Sequence, residues 1–111
     1  VLTYHLASIG ISTAYHGNQC RTGQRYYILN FQVDNGNGVD VTPGYAFDYI
    51  RLALDGHDLS PADATLPNTF KAGSGGTPGQ VAFAAPANLT TLTIGFLPQT
   101  GASGQYYGVT L

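Results

Sequence analysis

The sequence predicts an all-β fold, an antiparallel sandwich built around one apolar core. Three observations predict it. Apolar residues recur at a period of two in several separate windows, as strands with one buried face require. Clusters of Gly, Pro, Asn-Gly and Asp-Gly divide those windows at short intervals. Helical periodicity is nowhere sustained, because Gly or Pro breaks each candidate window and β-branched or aromatic residues dominate the apolar positions.

Taken in order, Leu2, Tyr4 and Leu6 form one alternating set, and Ile9 and Ile11 form another that is out of phase with it. That shift predicts a first strand that bends or changes sheet. Arg25 to Asp34 is the strongest strand, with Tyr27, Leu29, Phe31 and Val33 facing the core. Asn35-Gly36-Asn37-Gly38 ends it as a turn. Tyr45 to Leu54 reads as the next strand, with Ile50, Leu52 and Leu54 on one face and Phe47 joining that face through a bulge. Asp55-Gly56 closes it with a tight turn, and Leu59 to Ala64 is expected to hold one helical turn begun at Ser60-Pro61.

Leu66 to Lys71 is expected as a short edge strand, followed by the glycine-rich stretch Gly73 to Gly79. Gln80 to Ala84 points Val81 and Phe83 inward, and Pro86 stops it. Leu89 to Leu97 resumes with Leu92, Ile94 and Phe96 on one face, and Gln105 to Leu111 ends the chain with Tyr107, Val109 and Leu111 sharing a face. About seven strands separated by turns is the pattern of an immunoglobulin-like sandwich.

Composition sets the class. At 111 residues the chain has the size of one domain, expected to span 1–111, and 43% hydrophobic residues with eight Tyr and five Phe supply its core. Charged residues are only 9%, so neutral polar groups carry solubility. A net charge of −2 offers no cationic surface for phosphates, which argues against nucleic acid. No apolar run approaches the roughly 18 residues of a membrane span. Cys20 is the sole cysteine, so no intrachain disulfide forms. A start at Val1, with neither an initiator Met nor a basic-then-apolar leader, is expected of a mature form or an excised domain.

Three segments resemble a known family: Tyr27 to Asn35, Phe47 leading to Leu52-Ala53-Leu54-Asp55-Gly56, and Gly79 to Pro86. In order and spacing, over roughly Gly23 to Leu97, they are similar to secreted bacterial immunoglobulin-like domains typified by the immunoprotective extracellular protein of mycobacteria. The resemblance implies an exported, non-enzymatic domain. Low charge, abundant Tyr and the segment Ala14 to Arg21 depart from that family.

Several residue groups are candidate sites. His16 and Cys20, with His5 and His57 elsewhere, carry the donor types of a zinc or copper site, although an i, i+4 spacing serves a helix and this stretch reads as loop. Asp34, Asn35, Asn37 and Asp40 crowd oxygen ligands into one turn, as a calcium loop does, yet Asn-Gly turns have that composition for conformational reasons alone. Asp55, His57 and Asp58 invite acid–base chemistry, but turn formation accounts for Asp55-Gly56, and no Ser stands in a nucleophile elbow.

Gly73 to Gly79 lacks the Lys-Ser/Thr ending of a phosphate loop. Asn88-Leu89-Thr90 is a glycosylation sequon in an expected turn. Tyr26, Tyr45, Tyr49 and Tyr106 are candidates for surface contact with a protein or a sugar, and Tyr4 and Tyr15 share that reading. Together these observations predict a non-catalytic extracellular or cell-envelope domain without a cofactor, making protein–protein contacts or self-associating, and possessing no membrane span. The alternatives are a carbohydrate- or small-ligand-binding module and a metal-binding sandwich.

Overall fold

The computed structural model describes residues 2–97 and 105–111. Through them run β1 (Leu2–Ser12), β2 (Ala14–Tyr15), β3 (Asn18–Gln19), β4 (Gln24–Asn35), the helical turn α1 (Ala46–Tyr49), β5 (Ile50–Leu54), β6 (His57–Leu59), β7 (Asp63–Ala64), β8 (Thr77–Pro86), β9 (Thr91–Phe96) and β10 (Gln105–Thr110). All strand pairings are antiparallel. One four-stranded sheet has the order β1-β4-β8-β7, a second has β10-β9-β5-β6, and β2 and β3 form a separate ribbon.

The alternation in β4 does what its period dictates. Tyr27, Leu29, Phe31 and Val33 are buried and meet Val81, Phe83 and Ala85 of β8 with Ile50, Leu52, Leu92 and Ile94 of the second sheet in one hydrophobic cluster. Both sheets therefore bury their apolar faces in the same core, which stabilises the fold by about 25 cal/mol for each Å² removed from water. Leu66 and Phe70, on the connection between β7 and β8, complete it.

The phase shift in β1 is a bulge. Leu6 pairs with Phe31 and Ser8 with Asn30, so Ala7 is an extra residue in the ladder. The strand stays in its sheet, and the bulge returns Ile9 and Ile11 to the face that carries Leu2, Tyr4 and Leu6. Deleting Ala7 would leave those five residues in unbroken alternation. The expected result is a folded protein whose stability changes by less than about 1 kcal/mol, read as a melting midpoint displaced by no more than about 4–8 °C. Loss of cooperative melting would show that the bulge does more than correct the phase.

Four expectations from the sequence are corrected. Tyr45 to Leu54 is not one strand: Ala46 and Tyr49, three residues apart, face inward from a helical turn, and Phe47 is 41% exposed instead of joining the core. Leu59 to Ala64 holds no helical turn. Its ends belong to β6 and β7, strands of different sheets, and Pro61 between them has no N–H to continue either ladder. Leu66 to Lys71 is no strand, since only Phe70 bridges to Val41 while Leu66 and Phe70 plug the core. The stretch from His16 to Cys20, expected as loop, carries the turn and second strand of the β2–β3 hairpin.

That hairpin turns through His16 and Gly17, both at positive φ, as a two-residue loop demands. It lies over the outer face of the first sheet, where Tyr15 packs with Tyr26 and Ala82 in a second small cluster. Asp55 and Gly56, also at positive φ, make the tight turn between β5 and β6 that their sequence predicts.

Candidate interface along the β1–β10 seam

The two sheets end differently on their two sides. On one side the edges are β6 and β7, three and two residues long, with Asp58 in the first and Asp63 in the second. Short, charged edges of this kind resist pairing with another chain. On the other side the edges are β1, eleven residues long, and β10, six residues long. Neither strand contains Lys, Arg, Asp, Glu or Pro, and the bulge at Ala7 is the only common edge-protecting device in β1.

Between these two long edges the sheets stand apart. A cleft of about 450 Å³ opens there, lined by Tyr4 and Leu6 of β1, Phe31 of β4, Phe96 of β9, and Tyr107 and Val109 of β10. A neighbouring depression between Ile9, Ile11, Val109 and Leu111 extends it along the seam. Ile11 is 55% exposed, Tyr107 53% and Leu111 40%, although the first two occupy positions on the strand faces that line the cleft. Apolar residues on a core-facing side that remain this open form a contiguous patch, and such patches mark contact sites.

Tyr4 anchors the floor. Its ring lies edge-on to Phe31 and Phe70 and tilted against Phe96, and its hydroxyl donates to the Tyr49 hydroxyl at 2.9 Å. Burial, and then the bond to Tyr49, pushes the Tyr4 hydroxyl well above the usual phenol range, so it remains protonated. Burial likewise raises Tyr49.

The residues singled out from sequence fall in several places. Tyr26 and Tyr49 are buried and unavailable for the surface contact expected of them: the β2–β3 hairpin covers Tyr26, and α1 turns Tyr49 inward. Tyr15 is buried too, with its hydroxyl donating to Gln80 Oε1 at 2.7 Å. Tyr45 is exposed beside α1. Tyr106 is exposed on β10, where its hydroxyl donates to Asp58 Oδ2 at 2.8 Å, and that carboxylate raises its pKa.

The Asp34 to Asp40 turn directs its oxygens at its own backbone and neighbours. Asn35 is fully buried; its Nδ2 donates to the carbonyls of Val39 and Phe70, and its Oδ1 accepts from the Asn37 backbone and side-chain amides. Asp34 accepts from Gly76 N–H and contacts His5 at 3.1 Å, and these two bonds, Gly76 foremost, hold its carboxyl below the usual range. Asp40 Oδ1 accepts from Ala72 N–H. The loop is thus tied to 70–76 by side-chain bonds from Asp34, Asn35 and Asp40, three of the four candidate cation ligands.

His16 and Cys20 each engage a different partner. His16 Nδ1 lies 2.9 Å from Asp63 Oδ2 and its ring stacks on Tyr15, while the Cys20 thiol donates to the Gln24 carbonyl. His57 and Asp58 stand exposed in β6 beyond the Asp55-Gly56 turn. Among the described residues, no three His, Cys, Asp or Glu side chains gather closely enough to hold a metal ion. No described helix is long and apolar enough to cross a membrane.

Comparison of the chain with family models, with curated proteins and with solved structures finds no match. The seam has no local signature in the sequence because it arises from strand order. The available signal was the absence of charge from two terminal strands whose apolar faces are otherwise regular.

Proposed function

We propose that the chain is a non-catalytic protein-binding module of the extracellular or cell-envelope kind, immunoglobulin-like in its sandwich, whose contacts form along the β1–β10 seam. One observation carries this reading: two uncharged strand edges, neither paired on its outer side by another described strand, flank an open apolar cleft. Backbone groups at the edges offer hydrogen bonds to an added strand, and the cleft offers sites for every second side chain of it. The resemblance to exported immunoglobulin-like domains supports the same class. The low surface charge suits contacts made by hydrogen bonds and apolar area rather than by steering.

Uncharged extended peptides of alternating apolar and polar residues are the appropriate probe. On titration they should shift the backbone amide resonances of Leu2–Ser12 and Gln105–Thr110 and leave β6 and β7 unmoved. Shifts confined to other surfaces, or none with any such peptide, would remove the reading.

A second reading has its own observation in the cleft volume, which falls within the range of small-ligand pockets, and in the aromatic lining by Tyr4, Phe31, Phe96 and Tyr107. A compact apolar ligand would shift the cleft residues without protecting the edge amides of β1 from hydrogen exchange. A strand would protect them.

A further inference from the structure

We infer that the strand added to β1 is β1 of a second copy of this chain. The inference rests on the seam reading and names its occupant. The face pattern of β1 is its basis. The bulge at Ala7 places Leu2, Tyr4, Leu6, Ile9 and Ile11 inward, and leaves Thr3, His5, Ala7, Ser8, Gly10 and Ser12 on the outer side. Ser8 Oγ accepts from Asn30 on that outer face, and Ala7 borders an outer-face depression with Gln32 and Gln80.

This pattern is symmetric about the point between Ala7 and Ser8. An antiparallel copy laid in register about that point sets Tyr4 against Ile11 and Leu6 against Ile9 on the inner face. On the outer face, Ala7 meets Ser8, His5 meets Gly10, and Thr3 meets Ser12. Every inward residue from Tyr4 to Ile11 opposes an inward one, so the two-fold operation that a symmetric dimer requires needs no slip in register. The two first sheets become one continuous sheet, and the exposed Ile11 of each copy gains a Tyr4 neighbour.

Charge permits the pairing. β1 has no Lys, Arg, Asp or Glu, its one His, His5, is in contact with Asp34, and the whole chain carries only −2. Neither copy thus brings a like charge opposite its own, which is what blocks most natural edges. Area sets the strength. A paired stretch from Thr3 to Ser12 is about 34 Å long, and with the sheets about 10 Å apart it covers about 350 Å² on each copy. That is under half of the about 800 Å² per partner in a standard interface. The dimer is therefore reversible and concentration-dependent.

Sedimentation velocity over a wide concentration series tests it with wild type, Ala7→Lys, Ala7→Asp and an equal mixture of the two variants. Ala7 is exposed, and its two copies lie diagonally across the axis from each other. Wild type should pass from monomer to dimer as concentration rises. Each variant alone should dimerise at least about tenfold more weakly through like charge at the axis, and the mixture should recover a mixed dimer.

Variants that dimerise like wild type, or a mixture that fails to recover, overturn the register. A wild type that stays monomeric overturns self-pairing; if the alternating peptides still shift the seam, the protein-binding reading stands without it, and if they do not, both fall. Should either Ala7 variant lose its cooperative melting, Ser8→Lys and Ser8→Asp occupy the same axis and take their place.

Discussion

Replacing Asn35 with Asp is expected to destabilise the protein by about 3 kcal/mol or more and to lower its melting midpoint by about 15 °C. Asn35 is fully buried and uses both ends of its amide. Its Nδ2 lies 2.9 Å from the Phe70 carbonyl and 3.1 Å from that of Val39, so an oxygen placed there would face two acceptors with nothing to donate while ionised. A buried carboxylate oxygen facing only acceptors costs more than a lost neutral bond, even though the other oxygen keeps the Asn37 amides. Asn35→Ala removes the same bonds without adding charge and should cost about 2–3 kcal/mol.

The pair of variants also decides between two accounts of the turn. If Asp34, Asn35, Asn37 and Asp40 formed a calcium site, an added carboxylate at position 35 would strengthen it, and calcium would restore the midpoint of Asn35→Asp. On the geometry of the loop, calcium restores nothing. Thermal or urea unfolding with calcium and with chelator measures this directly, and recovery with calcium would reinstate the cation site.

How far the sequence could be read depended on whether a signal was local. Tyr27, Leu29, Phe31 and Val33 announce β4 because a period of two survives over its whole length, and neighbours one and two positions away suffice to see it. The break between Leu6 and Ile9 is equally local, and the bulge that resolves it lies where the alternation fails. Around Phe47 a single helical turn leaves only one spacing, Ala46 to Tyr49, too short to outweigh the strand pattern around it. Ser60-Pro61 has the composition of a helix start, whereas in the fold Pro61 stands where the chain passes from one sheet to the other.

The site was less legible for a related reason. Tyr serves a core and a surface equally well, so Tyr26 and Tyr49 could not be told from Tyr106 without knowing that a hairpin covers one and a helical turn withdraws the other. The seam depends on which strands become edges, and β1 and β10 lie at opposite ends of the chain. Only their lack of charge is visible in the sequence, and that feature acquires meaning once both are found without an outer neighbour among the described strands.

Gly79→Val should be the most damaging single substitution outside the buried apolar side chains, costing about 3 kcal/mol or preventing folding. Gly79 pairs with Phe31 in the middle of the first sheet, and a Cβ there would meet Leu66 Cα and Cγ at 2.8 Å. Leu66 is itself buried in the core, so its backbone has nowhere to retreat. Even Gly79→Ala should cost about 2 kcal/mol.

Gly95 supplies the contrast. A Cβ at that position would also come close to a neighbour, at 2.8 Å from Tyr106 Cδ1, but that neighbour is the ring of an exposed side chain on β10. Tyr106 can rotate away, giving up its bond to Asp58, and Gly95→Ala should therefore cost no more than about 1 kcal/mol. Urea unfolding of both alanine variants compares the two. Equal losses would mean that the β9–β10 contact is as rigid as the core beneath Leu66, and the edge at β10 would then be too fixed to adjust to an added strand.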